Sequence, residues 1–91
     1  MRVAYFYLMG DSARVPIVTA AHAKYWTSLK LQGYEGGPFA DLSGGLIVFD
    51  TDSLATAEQY VAADPFVAED VLASRSLKHW IPATVTKEVV A

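Results

Sequence analysis

The stretch SLATAEQYVAADPF, residues 53–66, combines an amphipathic helix pattern with an abrupt end to that pattern. Ser53 is suited to be the helix N-cap, and the pattern predicts a helix that runs to about Ala63. Asp64 and Pro65 mark the joint, because Asp favours an N-cap position and Pro favours the first turn of a helix, which allows a short helical turn to follow. A final strand pattern comes next, so the Asp64 carboxylate is expected at a fixed place in the fold.

The rest of the chain shows four strand patterns and one more helix pattern. Val18, Ala21, Tyr25 and Leu29 recur at helical spacing, which predicts a helix over residues 16–32 with Gly33 just past its end. Apolar, β-branched and aromatic residues predict strands over residues 2–9, 46–49 and about 73–86. Residues 34–39 predict a further short strand, interrupted by Gly36-Gly37-Pro38.

This order of elements, β-α-β-β-α-β, predicts an α+β fold of the ferredoxin-like type. Its antiparallel sheet carries both helices on one face and leaves the other face bare in a monomer. Strands 1, 3 and 4 show apolar residues on both faces. We therefore expect two copies to dimerise through their sheets, or to form a higher homo-oligomer.

Composition narrows the classes of function. The 91 residues predict one domain spanning 1–91, and the hydrophobic share of 53% also favours a subunit interface. The absence of cysteine excludes disulfides and thiolate chemistry, and a net charge of −3 with scattered basic residues argues against nucleic-acid binding. The sequence shows neither a signal peptide nor an apolar run of about 20 residues that would span a membrane, so a cytoplasmic location is expected.

His22 and Asp64 are the candidate catalytic residues. His22 lies at the edge of the buried stripe of the first helix, and imidazole can give or take a proton near neutral pH. If the two helices pack side by side, Asp64 could orient the ring and select its tautomer. The structural alternative stays open for both: His22 as a half-buried histidine bonded to backbone, and Asp64 as a cap of the next turn.

Other polar and glycine-rich points give weaker signals. Gly36-Gly37-Pro38 and Gly44-Gly45 do not match a dinucleotide or P-loop fingerprint, so no cofactor is predicted. His79 lies on the last strand pattern beside Trp80, where packing is the simpler interpretation. No metal-ligand spacing is present, so no metal site is predicted.

Five features in sequence order resemble the YciI-like (YCII-related) domain family of the dimeric α+β barrel superfamily. They are the short N-terminal strand, His22, Gly37-Pro38, Gly44-Gly45-Leu-Ile-Val-Phe49, and Ala63-Asp64-Pro65-Phe66-Val67 leading to Lys78-His79-Trp80. The resemblance implies the ferredoxin-like fold, pairing through the sheets, and an active site built from His22 and Asp64. One branch of the family is associated with removing chloride from chlorinated hydroxylated aromatics, and related isomerases transfer protons on small lactones.

Two positions depart from the family pattern. Many members carry a basic residue where this chain has Thr19, and many carry Gly-Ser where it has Gly44-Gly45. A serine hydroxyl that could help to bind substrate is therefore missing at Gly45.

Two hypotheses follow. The first is a small cofactor-independent enzyme, a lyase or isomerase acting on a small aromatic or lactone substrate, with His22 as acid or base oriented by Asp64. Its substrate pocket is expected to include Trp26, Gly37, Pro38, Gly45 and Phe66. The alternative is a non-catalytic module that binds a small ligand or supports assembly.

Overall fold

Four strands form one antiparallel sheet in the computed structural model, which describes residues 1–10 and 13–84. The spatial order of the strands is β2-β3-β1-β4. The elements are β1 (Arg2–Met9), α1 (Val15–Ser28), β2 (Glu35–Pro38), β3 (Gly44–Asp50), α2 (Leu54–Ala62), α3 (Pro65–Ala68) and β4 (Leu72–His79). The predicted ferredoxin-like α+β fold is confirmed, with the third helix as a single short turn after Pro65.

The central strand β1 separates the two faces of the sheet. Val3, Tyr5 and Tyr7 alternate onto the face that the helices cover, where all three are buried. Phe6 and Leu8 lie on the opposite face and are exposed. The core therefore occupies the helix side of the sheet.

The helices reach this core through a few positions each. Val18, His22 and Trp26 are the buried residues of α1, and Ala57 and Val61 are those of α2. Their spacing of four residues places the side chains on a single helix face. The predicted cap of α2 is present, since the Ser53 hydroxyl accepts a hydrogen bond from the Thr56 N–H at 3.1 Å.

Helix α1 ends four residues earlier than the sequence predicts. Lys30, rather than Gly33, is the first residue past the helix with positive φ, at 50°. Gly33 also has positive φ, 62°, but it does not cap the helix. A Cβ at Gly33 would lie 2.6 Å from Asp50 Oδ2 and 2.7 Å from Arg2 Nη1, so the glycine lets the chain pass close to that ion pair.

The strand boundaries also differ from the predicted ones. β3 is longer than residues 46–49, because Gly44 and Gly45 pair with Leu8 and Tyr7 of β1. The last strand ends at His79, well before residue 86, since its partner β1 begins at Arg2. Residues 85 and 86 of that predicted strand lie outside the described part of the chain.

The prediction that strand 4 is apolar on both faces is wrong. On the bare face β4 presents Ser74, Ser76 and Lys78, which pair with Leu8, Phe6 and Ala4 of β1. Trp80 and Ile81, two apolar residues within the predicted strand, lie beyond the end of β4. The apolar part of the bare face is therefore confined to β1 and β3.

Candidate active site

Asp64 is a fully buried carboxylate surrounded by hydrogen-bond donors. Its Oδ1 accepts from the Phe66 backbone N–H at 2.9 Å and lies 2.8 Å from His22 Nδ1. Its Oδ2 accepts from Trp26 Nε1 at 3.0 Å and from the Tyr5 hydroxyl at 3.3 Å. An ionised carboxylate has about four acceptor positions, and this arrangement uses them all.

This network fixes the His22 imidazole. Because the donors around Asp64 suit a carboxylate, Nδ1 of His22 carries the hydrogen of the 2.8 Å contact, and Nε2 is then the unprotonated nitrogen. Phe66 stacks on the imidazole face, with ring centroids 3.9 Å apart and planes 16° apart. The ring is thus held at one edge and on one face, which leaves the Nε2 edge for chemistry.

The turn at Asp64-Pro65 explains how one residue reaches so many partners. Asp64 is the N-cap of α3, and Pro65 occupies the first turn of that helix. Capping points the carboxylate back over the helix start, toward β1 and α1. The structural role that the sequence suggested for Asp64 and the contact with His22 therefore occur together.

Two tyrosines of β1 complete the buried polar cluster. Burial and the nearby Asp64 charge raise the pKa of Tyr5 above its ordinary value. Burial, then the Asp64 charge and then Tyr34, raise the pKa of Tyr7 to about 12. Both phenols therefore stay neutral donors near neutral pH. The Tyr7 hydroxyl lies 3.4 Å from His22 Nε2.

A cavity of about 720 Å³ opens beside His22, between α1 and the β2–β3 end of the sheet. Its volume is in the range that small-molecule sites occupy. Most of its lining is apolar, and the polar groups include His22, the Tyr7 and Tyr34 hydroxyls, Thr19 and Thr27. The lining residues are Tyr7, Met9, Val15, Pro16, Thr19, His22, Ala23, Thr27, Tyr34, Gly36, Gly37, Pro38, Leu42, Gly44, Ile47 and Phe66.

The predicted pocket residues divide into two groups. Gly37, Pro38 and Phe66 line the cavity together with His22. Trp26 and Gly45 are not among the described residues that line it. Trp26 is buried instead and donates to Asp64, so it supports the carboxylate from behind.

Gly45 has a close neighbour that explains why it carries no side chain. It pairs with Tyr7 across the β1–β3 ladder, and a Cβ there would overlap the Tyr7 hydroxyl and lie 2.6 Å from Tyr7 Cζ. The Tyr7 phenol thus fills the space that a residue with a side chain would need. At the other departure from the family pattern, Thr19 lines the cavity while its hydroxyl donates to the Val15 carbonyl at 2.7 Å.

Sequence reasoning missed Tyr5 and Tyr7 as members of the site. Strand alternation was the signal that could have found them, since both fall on the β1 face that must meet His22 and Trp26 of α1. His79 is exposed at the end of β4, paired with Val3 of β1. Within residues 1–10 and 13–84, no group of three or more His, Asp or Glu side chains is arranged to hold a metal ion.

The family model of the YCII-related domain matches residues 11–81. The chain belongs to the YCII-related domain family. This confirms the resemblance seen in the sequence. No curated protein sequence matches the chain.

Among solved structures, this YCII-related chain is similar to 5-chloro-2-hydroxyhydroquinone dehydrochlorinase from Burkholderia phenoliruptrix AC1100, in complex with 2,5-dihydroxybenzoquinone. The similarity covers 89% of this chain and 94% of that one, with a TM-score of 0.78 and 20% sequence identity. At this identity the likeness shows a shared fold. In the described part of the chain, none of the helices is both long and apolar enough to cross a membrane.

Proposed function

We propose that this YCII-related protein is a small cofactor-independent enzyme in which His22 moves a proton on a small organic substrate. The observation that supports this most is the 2.8 Å contact of His22 Nδ1 with Asp64 beside a cavity of about 720 Å³. In this arrangement Asp64 fixes the ring and its tautomer, and Nε2 acts as the base. When the reaction needs an acid, the protonated ring returns the proton.

The reaction class follows from what these residues can do. Proton removal from a carbon or oxygen, followed by loss of a leaving group or by return of the proton elsewhere, needs only one positioned acid–base group. A lyase or isomerase acting on an aromatic or lactone substrate fits this requirement. The fold is shared with 5-chloro-2-hydroxyhydroquinone dehydrochlorinase, so 5-chloro-2-hydroxyhydroquinone is the first substrate to test.

The test is turnover of a small panel by wild type and variants. Chloride release from 5-chloro-2-hydroxyhydroquinone and isomerisation of small lactones would be followed for wild type, His22→Gln and Asp64→Asn. His79→Gln is the matched control, since it removes the second histidine, which is exposed on β4. We expect both site variants to lose activity and the control to keep it. Wild-type turnover that survives both changes, or no turnover of any compound, would contradict the proposal.

A non-catalytic ligand-binding module is the second candidate, and one observation favours it. Asp64 caps α3 and ties that helix to Tyr5 and Trp26, so a structural reason for this carboxylate exists without any reaction. A module of this kind would bind panel compounds in the cavity without converting them. Binding measured with no product formed would decide for this candidate.

We also propose that two copies pair through the bare face of the sheet. Phe6, Leu8 and Leu46 are 42%, 36% and 40% exposed there, and Phe39 packs beside Phe6 with ring centroids 5.4 Å apart. Phe6 and Leu46 are direct cross-strand partners, so the patch is continuous across β1 and β3. A second copy offers the same apolar strip, which makes the contact self-complementary. The cytoplasmic location stays a prediction.

A further inference from the structure

Asp64 contacts the Nδ1 edge of the His22 ring, and the Tyr7 hydroxyl lies at the opposite, Nε2 edge. The Tyr7 oxygen lies 3.4 Å from His22 Nε2, and both residues line the cavity. That separation is at the long end for a hydrogen bond, where the interaction is weak. An oxygen atom that enters the cavity at this point can therefore compete for the Tyr7 hydrogen.

The position of this hydroxyl is set by the packing around it. Tyr7 is 3% exposed, and its ring meets the His22 ring edge-on at a centroid distance of 5.6 Å. The Phe66 ring centroid lies 5.8 Å from that of Tyr7. Gly45 has no side chain, and the Tyr7 phenol occupies the space that a Cβ there would need. The hydroxyl therefore has little freedom to move away from Nε2.

The hydroxyl is also kept in the form that donates. Burial, the Asp64 charge and Tyr34 raise the pKa of Tyr7 to about 12. A neutral phenol can donate one hydrogen bond, and it can give that bond either to Nε2 or to a ligand oxygen.

We propose that Tyr7 is a ligand-binding residue of this site, whose hydroxyl donates to a ring hydroxyl or carbonyl oxygen of the ligand beside His22 Nε2. The assignment rests on the proposed function, since it takes the cavity beside His22 as the ligand site. It adds the class of ligand: a small ring compound with an oxygen substituent next to the proton that His22 removes.

The proton step balances with these groups alone. When the Tyr7 hydrogen turns to the ligand oxygen, the Nε2 lone pair is released. Nε2 then forms an N–H bond as the ligand O–H or adjacent C–H bond breaks. The electron pair of that bond stays on the ligand as a phenolate or enolate, whose oxygen accepts from Tyr7. His22 becomes the imidazolium, next to the Asp64 carboxylate.

Binding of phenol and toluene tests this without requiring turnover, because the two rings have nearly the same shape and only phenol has an oxygen. Their dissociation constants would be measured by two-dimensional NMR titration for wild type, Tyr7→Phe, Tyr34→Phe and Tyr25→Phe. Tyr25→Phe is the matched control, since the Tyr25 hydroxyl donates to the Tyr60 carbonyl and is not among the described lining residues. Circular dichroism would check that each variant is folded.

We expect Tyr7→Phe to raise the dissociation constant of phenol by about three- to tenfold, which corresponds to the loss of one neutral hydrogen bond. The dissociation constant of toluene should not change. Tyr25→Phe should leave both unchanged. Equal affinity of wild type and Tyr7→Phe for phenol overturns the proposal, as does a loss seen with Tyr34→Phe instead. Failure of phenol to bind wild type overturns it too.

The proposed function and this inference fail separately. Loss of turnover in His22→Gln with unchanged phenol binding in Tyr7→Phe would support the proposed enzyme and contradict the proposed role of Tyr7. A selective loss of phenol binding in Tyr7→Phe, with no turnover of any panel compound, would support the binding role of Tyr7 and contradict the proposed enzyme.

Discussion

Replacing Asp64 by Asn keeps the shape of the buried side chain and changes only what it can accept. The carboxylate receives hydrogen bonds from the Phe66 N–H, the Trp26 indole N–H, the Tyr5 hydroxyl and His22 Nδ1. An amide offers one acceptor oxygen and one NH₂ group that only donates. Neither the Phe66 N–H nor the Trp26 N–H can become an acceptor, so the NH₂ must face one of them.

Each orientation of the amide leaves one buried donor unsatisfied. With its oxygen toward Phe66, the amide leaves the Trp26 N–H unsatisfied. With its oxygen toward Trp26, it leaves the Phe66 N–H unsatisfied and favours the His22 tautomer that has hydrogen on Nε2. One orphaned buried donor costs about 1–3 kcal/mol of unfolding free energy. In a domain of this size, a loss of about 2 kcal/mol lowers the Tm by roughly 8–16 °C.

Urea and thermal unfolding, followed by circular dichroism, measure this cost. Asp50→Asn is the matched control, because Asp50 makes a 3.3 Å ion pair with Arg2 and its side chain is 47% exposed. An exposed pair of this kind contributes at most about 1 kcal/mol. If Asp64→Asn is as stable as wild type, or if Asp50→Asn costs as much, the account of the buried network is wrong.

Three further predictions concern the strands around the site. The pKa of Tyr7 is raised from 10.0 to about 12 in the folded chain, so between pH 10 and 12 the unfolded chain loses the Tyr7 proton while the folded chain largely keeps it. The free energy of unfolding should therefore fall over this range, and Tyr7→Phe should remove about 2 kcal/mol of that fall in urea titrations. An unchanged pH slope in Tyr7→Phe would be the contrary result. Gly44→Ala should lower the free energy of unfolding by about 1–3 kcal/mol or more, because a Cβ there overlaps the Tyr7 carbonyl. A Cβ at Gly37 meets no atom within 4 Å, so Gly37→Ala should change that free energy by no more than about 0.5 kcal/mol. Equal losses in urea titrations of the two variants would refute the packing described at β3. Leu46→Glu should convert a dimer to a monomer in multi-angle light scattering. Ile17 is 79% exposed on α1, away from the sheet, so Ile17→Glu should leave the dimer intact. A wild-type monomer at micromolar concentration would contradict pairing.

The order of elements could be predicted from the sequence because strong local signals mark it. Ser53 caps α2, Pro65 opens α3, and the apolar runs of β1 and β3 have few alternatives to a sheet. The same signals placed Asp64 at a fixed joint. His22 could be placed at the edge of a buried helix face by its spacing from Val18 and Trp26.

The remaining features depend on contacts between distant residues. Lys30 is the first residue with positive φ after α1, and Gly33 lies against the Arg2–Asp50 pair, which is distant from it in sequence. No local pattern carries that information. The end of β4 follows from where β1 begins. Strand alternation could have placed Tyr7 on the helix side of β1, but the room for its phenol beside Gly45 depends on the alignment of β1 with β3.

The ratio of kcat/KM for wild type and His22→Gln, on the best substrate of the panel, tests the central claim most directly. If His22 is the acid–base group, the ratio should be about 10²–10⁴. The same ratio for His79→Gln should stay near one. A His22→Gln enzyme within about threefold of wild type would show that the His22 imidazole, although held by Asp64 beside the cavity, does not carry the reaction.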